Sequence, residues 1–139
     1  MELPEPPPDL ARQRLAALRE TLLALHKALL DSERTSYEIV HGPIASPAAF
    51  LQLLINDSWF AWLRPVTTLI VQIDEKLAAR KPLASSRDFE LLIEDMRALL
   101  SPSRDSDNFW KRYLTAVQRD PGVAVLHEQI EKQLSSAPE

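Results

Sequence analysis

The sequence predicts an all-α fold, a single-domain bundle of five or six helices with a long first helix. Apolar residues recur at steps of three and four along most of the chain, which is the spacing of one helix face. The chain has 2 glycines, too few for a protein built on hairpin turns, and 11 prolines that mostly separate the apolar segments. Its 139 residues suffice for one ordinary domain. We predict the bundle over residues 9–135, between a flexible proline-rich tail (1–8) and a flexible tail (136–139).

The first helix is predicted to run from Asp9 to about His41. Leucines at three- and four-residue steps form its apolar face: Leu15, Leu18, Leu22, Leu25 and Leu29. The following turns are more polar, and Gly42 with Pro43 ends the helix.

A second helix is predicted to follow Ser46 and Pro47, which are a typical N-cap and first helical residue. Its apolar residues, from Phe50 to Trp62, lie almost all round the helix, so we expect it to be the most buried element. Pro65 either kinks this helix or starts a third one, and we favour a break.

The third helix has one apolar face and is expected to extend through Lys81. Ser85 and Asp88 have the spacing of a capping box and predict the start of a fourth helix. A polar linker over 101–106 then leads to a short fifth helix, and Asp120 with Pro121 starts the sixth. Of Trp59 and Trp62, which lie three residues apart, at least one should be buried.

The composition restricts the possible functions. The chain has no cysteine, which excludes disulfides and thiolate metal sites and indicates a reducing, cytoplasmic setting. Its net charge is −4 and its 16 basic residues are scattered, which argues against nucleic acid as a partner. No stretch is long and apolar enough for a membrane span. The chain lacks a nucleophile elbow and a glycine-rich phosphate loop, so catalysis finds no support, and no cofactor is predicted.

The strongest candidates for a ligand site lie on the first helix. His26, Glu33, Tyr37 and His41 follow one another at steps of seven, four and four and share one face. If that face is inward, Glu33 needs a donor such as Tyr37, an arginine of another helix, water or a cation, because a buried carboxylate alone is unfavourable. The interpretation we favour is that these side chains flank the core and face water.

Two further patterns involve carboxylates. Glu38 and His41 form the Glu-x-x-His spacing of di-iron bundles, but the second motif that such a site needs is absent. Asp57 interrupts an apolar stretch and is a fifth ligand candidate. The structural alternative is that Asp57 or Asp74 pairs with Arg64, or caps the helix end freed by Pro65.

Residues 59–65, Trp-Phe-Ala-Trp-Leu-Arg-Pro, resemble a segment of a family of small, uncharacterised, all-helical bacterial proteins. The likeness extends over residues 26–74 and includes residues 119–121. The resemblance implies a small bacterial helical protein, and it brings no activity, substrate or catalytic residue.

The leading functional hypothesis is a non-enzymatic helical bundle that acts through protein–protein association, either as a homo-oligomer or with a protein partner. It rests on apolar surface in excess of what a small bundle easily covers. The alternative is a bundle that binds a metal or small ligand through His26, Glu33, Tyr37, His41 and Asp57.

Overall fold

The computed structural model describes residues 8–79, 84–102 and 108–135. Within these ranges there are six α-helices: α1 (Pro8–His41), α2 (Pro47–Asn56), α3 (Arg64–Ala78), α4 (Ser86–Leu99), α5 (Asn108–Arg119) and α6 (Pro121–Ser135). A short 3-10 helix, Ser58–Leu63, joins α2 to α3. No strand occurs in the described residues. The all-α bundle with a long first helix is therefore confirmed.

Several predicted features lie outside the described residues. These are residues 1–7 of the first tail, the tail 136–139, the predicted end of the third helix at Lys81, and residues 103–107 of the linker region. Within the described ranges, no helix combines the length and apolar character that crossing a bilayer requires.

Helix α1 is the element around which the others pack. Its 34 residues span about 50 Å, and it contacts α3, α4, α5, α6 and the 3-10 helix. The five leucines of its predicted apolar face are at most 1 % exposed. They belong to one core that also includes apolar residues of the 3-10 helix, α3, α4, α5 and α6.

Local sequence signals set most helix boundaries where they were predicted. The Ser46 side chain accepts a hydrogen bond from the Ala49 N–H and caps α2. Ser85 and Asp88 form the predicted capping box at the start of α4. Pro65 lies in the first turn of α3, where its missing N–H breaks no helical bond, so the predicted break is confirmed.

The prediction that the second helix is the most buried element is wrong. None of the residues of α2 is buried, and Leu51 and Ile55 are 54 % and 55 % exposed. Helix α2 stops at Asn56, and the buried residues of the same apolar stretch, Phe60 and Trp62 among them, lie in the separate 3-10 helix. Helix α2 packs mainly against this 3-10 helix.

We call residues 33–57 the α1–α2 lobe. It comprises the last turns of α1, the connecting loop and α2. Ile39 and Val40, in the last turn of α1, are 80 % and 64 % exposed.

Candidate functional site

An open cleft of about 500 Å³ lies in the α1–α2 lobe. Its walls come from the end of α1, the connecting loop and one face of α2. The lining residues are Tyr37, His41, Gly42, Pro43, Ile44, Ala45, Ala49, Gln52, Leu53, Asn56 and Asp57. We call it the α1–α2 cleft.

The loop that closes one side of the cleft is held by two hydrogen bonds to Glu38. The Gly42 N–H donates to the Glu38 carbonyl at 2.8 Å, and the Ile44 N–H donates to Glu38 Oε2 at 2.8 Å. Gly42 has φ +87°, a left-handed conformation that ends α1 and favours glycine. A Cβ at this position would meet no atom within 4 Å, so the backbone conformation, and not lack of space, calls for glycine.

Aromatic rings form a continuous cluster along one side of the cleft. Tyr37 and His41 pack with ring centroids 4.5 Å apart, and Trp59 meets both rings edge-on at 5.6 Å. Phe60 contacts Tyr37 at 5.5 Å and connects the cluster to the core. The 3-10 helix therefore fixes the position of the aromatic wall.

Behind this wall lies Glu33, whose side chain is 7 % exposed. The Trp59 Nε1–H donates to Glu33 Oε2 at 2.9 Å. Arg119 of α5 donates from Nη2 to Glu33 Oε1 at 3.4 Å and to Ser32 Oγ at 2.8 Å. The interpretation favoured from the sequence, that these side chains face water, is wrong for Glu33, which is buried. The prediction that an inward Glu33 needs a donor is confirmed, and one of its donors is an arginine of another helix, as one of the stated alternatives expected. Trp59 was not among the predicted donors.

Asp57 accepts a hydrogen bond from the Trp59 N–H through Oδ1 at 2.8 Å and so caps the 3-10 helix. The expected pairing with Arg64 is wrong, because Arg64 Nη2 donates to the Ile55 carbonyl at 2.7 Å. Asp74 pairs instead with Arg19 of α1. The Asp57 cap also lies at the start of the 3-10 helix, well before Pro65.

His26 lies away from the cleft. Its Nε2 is hydrogen-bonded to Thr67 Oγ1 of α3 at 3.0 Å, and burial lowers the pKa of His26 below its ordinary value. The 15 residues between His26 and His41 correspond to about 22 Å along the helix. The structure thus brings Tyr37, His41 and Asp57 to one cleft, with Glu33 behind it, and leaves His26 apart.

The structure adds residues that the sequence patterns did not indicate. Gln52, Leu53 and Asn56 line the cleft, and the Asn56 amide donates to Gln52 Oε1 at 3.1 Å. Polar residues on a helix surface are common, so only the four-residue spacing of Gln52 and Asn56 on one face of α2, with Asp57 directly after it, could have drawn attention to them.

A second group of titratable residues lies between α5 and α6. The hydroxyl of fully buried Tyr113 and His127 Nδ1 are 2.7 Å apart, and His127 Nε2 lies 3.3 Å from Glu131 Oε1. Burial, with a contribution from Glu131, raises the pKa of Tyr113 above its ordinary value. With the proton on Nε2, His127 can accept from the Tyr113 hydroxyl at Nδ1 and donate to Glu131 from Nε2. The group therefore links α5 to α6.

Among the described residues, no group of three or more histidine, aspartate or glutamate side chains is arranged to hold a metal ion. No family model, curated protein or solved structure matches this chain. The α1–α2 cleft and the exposed apolar residues around it are therefore the basis for a functional proposal.

Proposed function

We propose that this protein acts by protein–protein association, and that two copies of the chain associate through the α1–α2 lobe. The proposal is based on the exposure of helix α2 to solvent. This helix contains no charged residue, yet none of its residues is buried and two large apolar side chains, Leu51 and Ile55, are more than half exposed.

The packing of α2 supports an interaction role. A ten-residue helix is marginal in water on its own and depends on packing. Phe50 supplies part of that packing through an edge contact with Phe60 at 5.7 Å. Leu51 and Ile55, one turn apart, make an apolar strip that remains open to solvent. Exposed apolar surface of this kind marks interaction sites in soluble proteins.

A second copy of the chain is a suitable occupant for such a surface. In a two-fold dimer the same patch of both subunits meets itself, so the patch must be self-complementary. An uncharged apolar strip meets that condition, since it brings no like charges together. The proposal includes a cytoplasmic setting, which the cysteine-free sequence favours.

Sedimentation velocity over a range from micromolar to near-millimolar concentration tests the proposal. We expect the wild-type protein to shift from monomer to dimer, and the double variant Leu51→Gln/Ile55→Gln to remain monomeric. The matched control is Val71→Gln/Leu91→Gln, which changes two exposed apolar residues of α3 and α4. A wild-type protein that stays monomeric throughout, or a control variant that is equally disruptive, would contradict the proposal.

A second candidate function is binding of a small ligand in the α1–α2 cleft. It is favoured by the convergence of Tyr37, His41 and Asp57, three of the five predicted ligand residues, on a cleft within the usual size range of ligand pockets. Native mass spectrometry and metal analysis of the purified protein test it. A ligand that co-purifies with the wild-type protein and is lost in Tyr37→Leu would support ligand binding. A mass spectrum that shows only the protein without any bound ligand or metal would contradict it.

A further inference from the structure

Three carboxylates border the α1–α2 lobe, and only one of them lacks a cationic partner. Glu33 is paired with Arg119, and Glu38 Oε1 lies 3.6 Å from Arg34 Nε. Asp57 accepts one hydrogen bond from a backbone N–H, and no lysine, arginine or histidine of the described residues forms an ion pair with it. The uncompensated charge of the cleft is therefore negative.

The neighbours of Asp57 in the cleft are suited to a cation. Tyr37 lines the same space, and the face of a tyrosine ring attracts ammonium and guanidinium groups. The Tyr37 hydroxyl has no hydrogen-bond partner among the described residues, so its oxygen is free to accept an N–H. A carboxylate, an aromatic face and a free hydroxyl together form the surroundings in which arginine and lysine side chains are commonly held.

Helix α5 carries the complementary groups. Its 12 residues include no carboxylate, and Lys111 and Arg112 are exposed without an ionic partner among the described residues. The third cation of this helix, Arg119, is already paired with Glu33. Other exposed cations, such as Lys27 of α1 and Arg87 of α4, lie on helices that also carry carboxylates. Within the part of the chain that the structure describes, Lys111 and Arg112 thus offer positive charge that no carboxylate pairs with.

We propose that the α1–α2 cleft receives a cationic side chain from α5 of a second copy of the chain, Lys111 or Arg112, with Asp57 as its counter-ion. This inference rests on the proposed function, because it names the polar contact of the same self-association. Leu114, also exposed on α5, adds apolar area beside the cations. In a two-fold dimer the contact would be formed twice.

The test is a set of dimer dissociation constants from sedimentation velocity. Asp57→Asn removes the charge and keeps an oxygen to cap the 3-10 helix, since asparagine is an equally good N-cap. Lys111→Gln/Arg112→Gln removes the proposed cations. Each variant dimer loses the contact at both of its sites, so the dissociation constant should rise about a hundredfold or more, at about tenfold for each charge-assisted hydrogen bond. The matched controls, Glu90→Gln on α4 and Lys27→Gln on α1, change exposed charges outside the cleft and should leave the dissociation constant within about twofold, because such surface charges contribute little.

Combining the two sets of changes provides the decisive measurement. If Asp57 contacts Lys111 or Arg112 of the other copy, the triple variant should be no weaker than either parent, because each parent has already lost the contact. N-acetyl-arginine amide should weaken the wild-type dimer, at most to the extent that Asp57→Asn does, and the neutral isostere N-acetyl-citrulline amide should not. Circular dichroism checks that every variant is folded.

The outcomes separate this inference from the proposed function. A dimer that is lost in Leu51→Gln/Ile55→Gln but unchanged in Asp57→Asn would overturn the cation contact and leave self-association intact. Fully additive weakening by the Asp57 and α5 changes would also overturn the direct contact. A wild-type protein that is monomeric at every concentration would overturn both.

Discussion

Helix α1 passes through two different environments. In its first half it is surrounded: Arg12 and Arg19 bond to α3, and Thr21 accepts a hydrogen bond from Gln129 of α6. In its last turn Ile39 and Val40 face solvent, and the nearby α2 has no buried residue. Burial in this fold therefore depends on how many helices surround a segment. The apolar content of the segment itself is a poor guide, because α2 is uncharged and still exposed.

The two tryptophans of the 3-10 helix allow the surrounded core and the cleft to be compared through the free energy of unfolding, and the expected effect is large. Trp62 is 8 % exposed and packs against Phe109 of α5, whereas Trp59 is half-buried in the aromatic wall of the cleft. Trp62→Ala should lower the free energy of unfolding by about 3–5 kcal/mol, as large aromatic deletions in cores do. Trp59→Ala should cost less. Urea unfolding at monomeric concentration measures both, and equal losses would show that the lobe is packed as tightly as the core.

A pair of leucine deletions extends the test to the helices themselves. Leu25→Ala, in the surrounded half of α1, should cost about 2–5 kcal/mol, whereas Leu51→Ala on α2 should change stability by less than about 0.5 kcal/mol. Leu25 is fully buried and Leu51 is 54 % exposed. Thermal and urea unfolding of the two variants should separate clearly. A large loss for Leu51→Ala in the monomer would mean that α2 is covered within one chain.

The parts of the fold that follow local rules could be predicted from sequence. The leucine face of α1, the Ser46 cap, the capping box of Ser85 and Asp88, and the break at Pro65 depend on residues within a few positions of one another. The burial of α2 could not be predicted this way. Periodicity shows which faces are apolar, but it does not show which neighbours cover them.

The candidate site was predictable to a similar extent. The spacing of Tyr37 and His41 placed them on one face, and the structure confirms that they pack together. A buried Glu33 required donors, but its partners lie 26 and 86 residues away in sequence, at Trp59 and Arg119. Such pairings are set by tertiary packing. The separation of His26 from the others follows from helix rise alone.

Substitution of the two paired carboxylates of the lobe, Glu33 and Glu38, measures how much each ion pair contributes to stability. Glu33→Gln weakens the link to Arg119 and places an amide where a carboxylate accepts two donors. We expect a loss of about 1–3 kcal/mol in unfolding free energy, because a buried charged hydrogen bond is disturbed while Arg119 remains partly solvated. Glu38→Gln removes the half-exposed ion pair with Arg34 but keeps a side-chain oxygen that can accept from the Ile44 N–H, so it should cost less than about 1 kcal/mol. Equal effects would show that Glu33 contributes no more than a surface pair.

The smallest expected effect concerns His26, at the edge of the surrounded half of α1. Burial lowers its pKa below the ordinary value of 6.5, so the unfolded chain takes up a proton at a higher pH than the folded protein does. Stability should therefore be fully present above about pH 6.5 and fall as the pH drops toward the folded pKa. In His26→Gln this part of the pH dependence should disappear, since glutamine does not titrate.

Urea unfolding between pH 5 and pH 8, chosen to bracket the ordinary histidine pKa of about 6.5, measures this effect. Lys27→Gln, an exposed neighbouring position, is the control and should keep the wild-type slope. If His26→Gln and wild type have the same slope, water solvates His26 as freely as it does the unfolded chain. The His26 ring would then be open to water, although Leu25 and Leu29 on either side of it are fully buried.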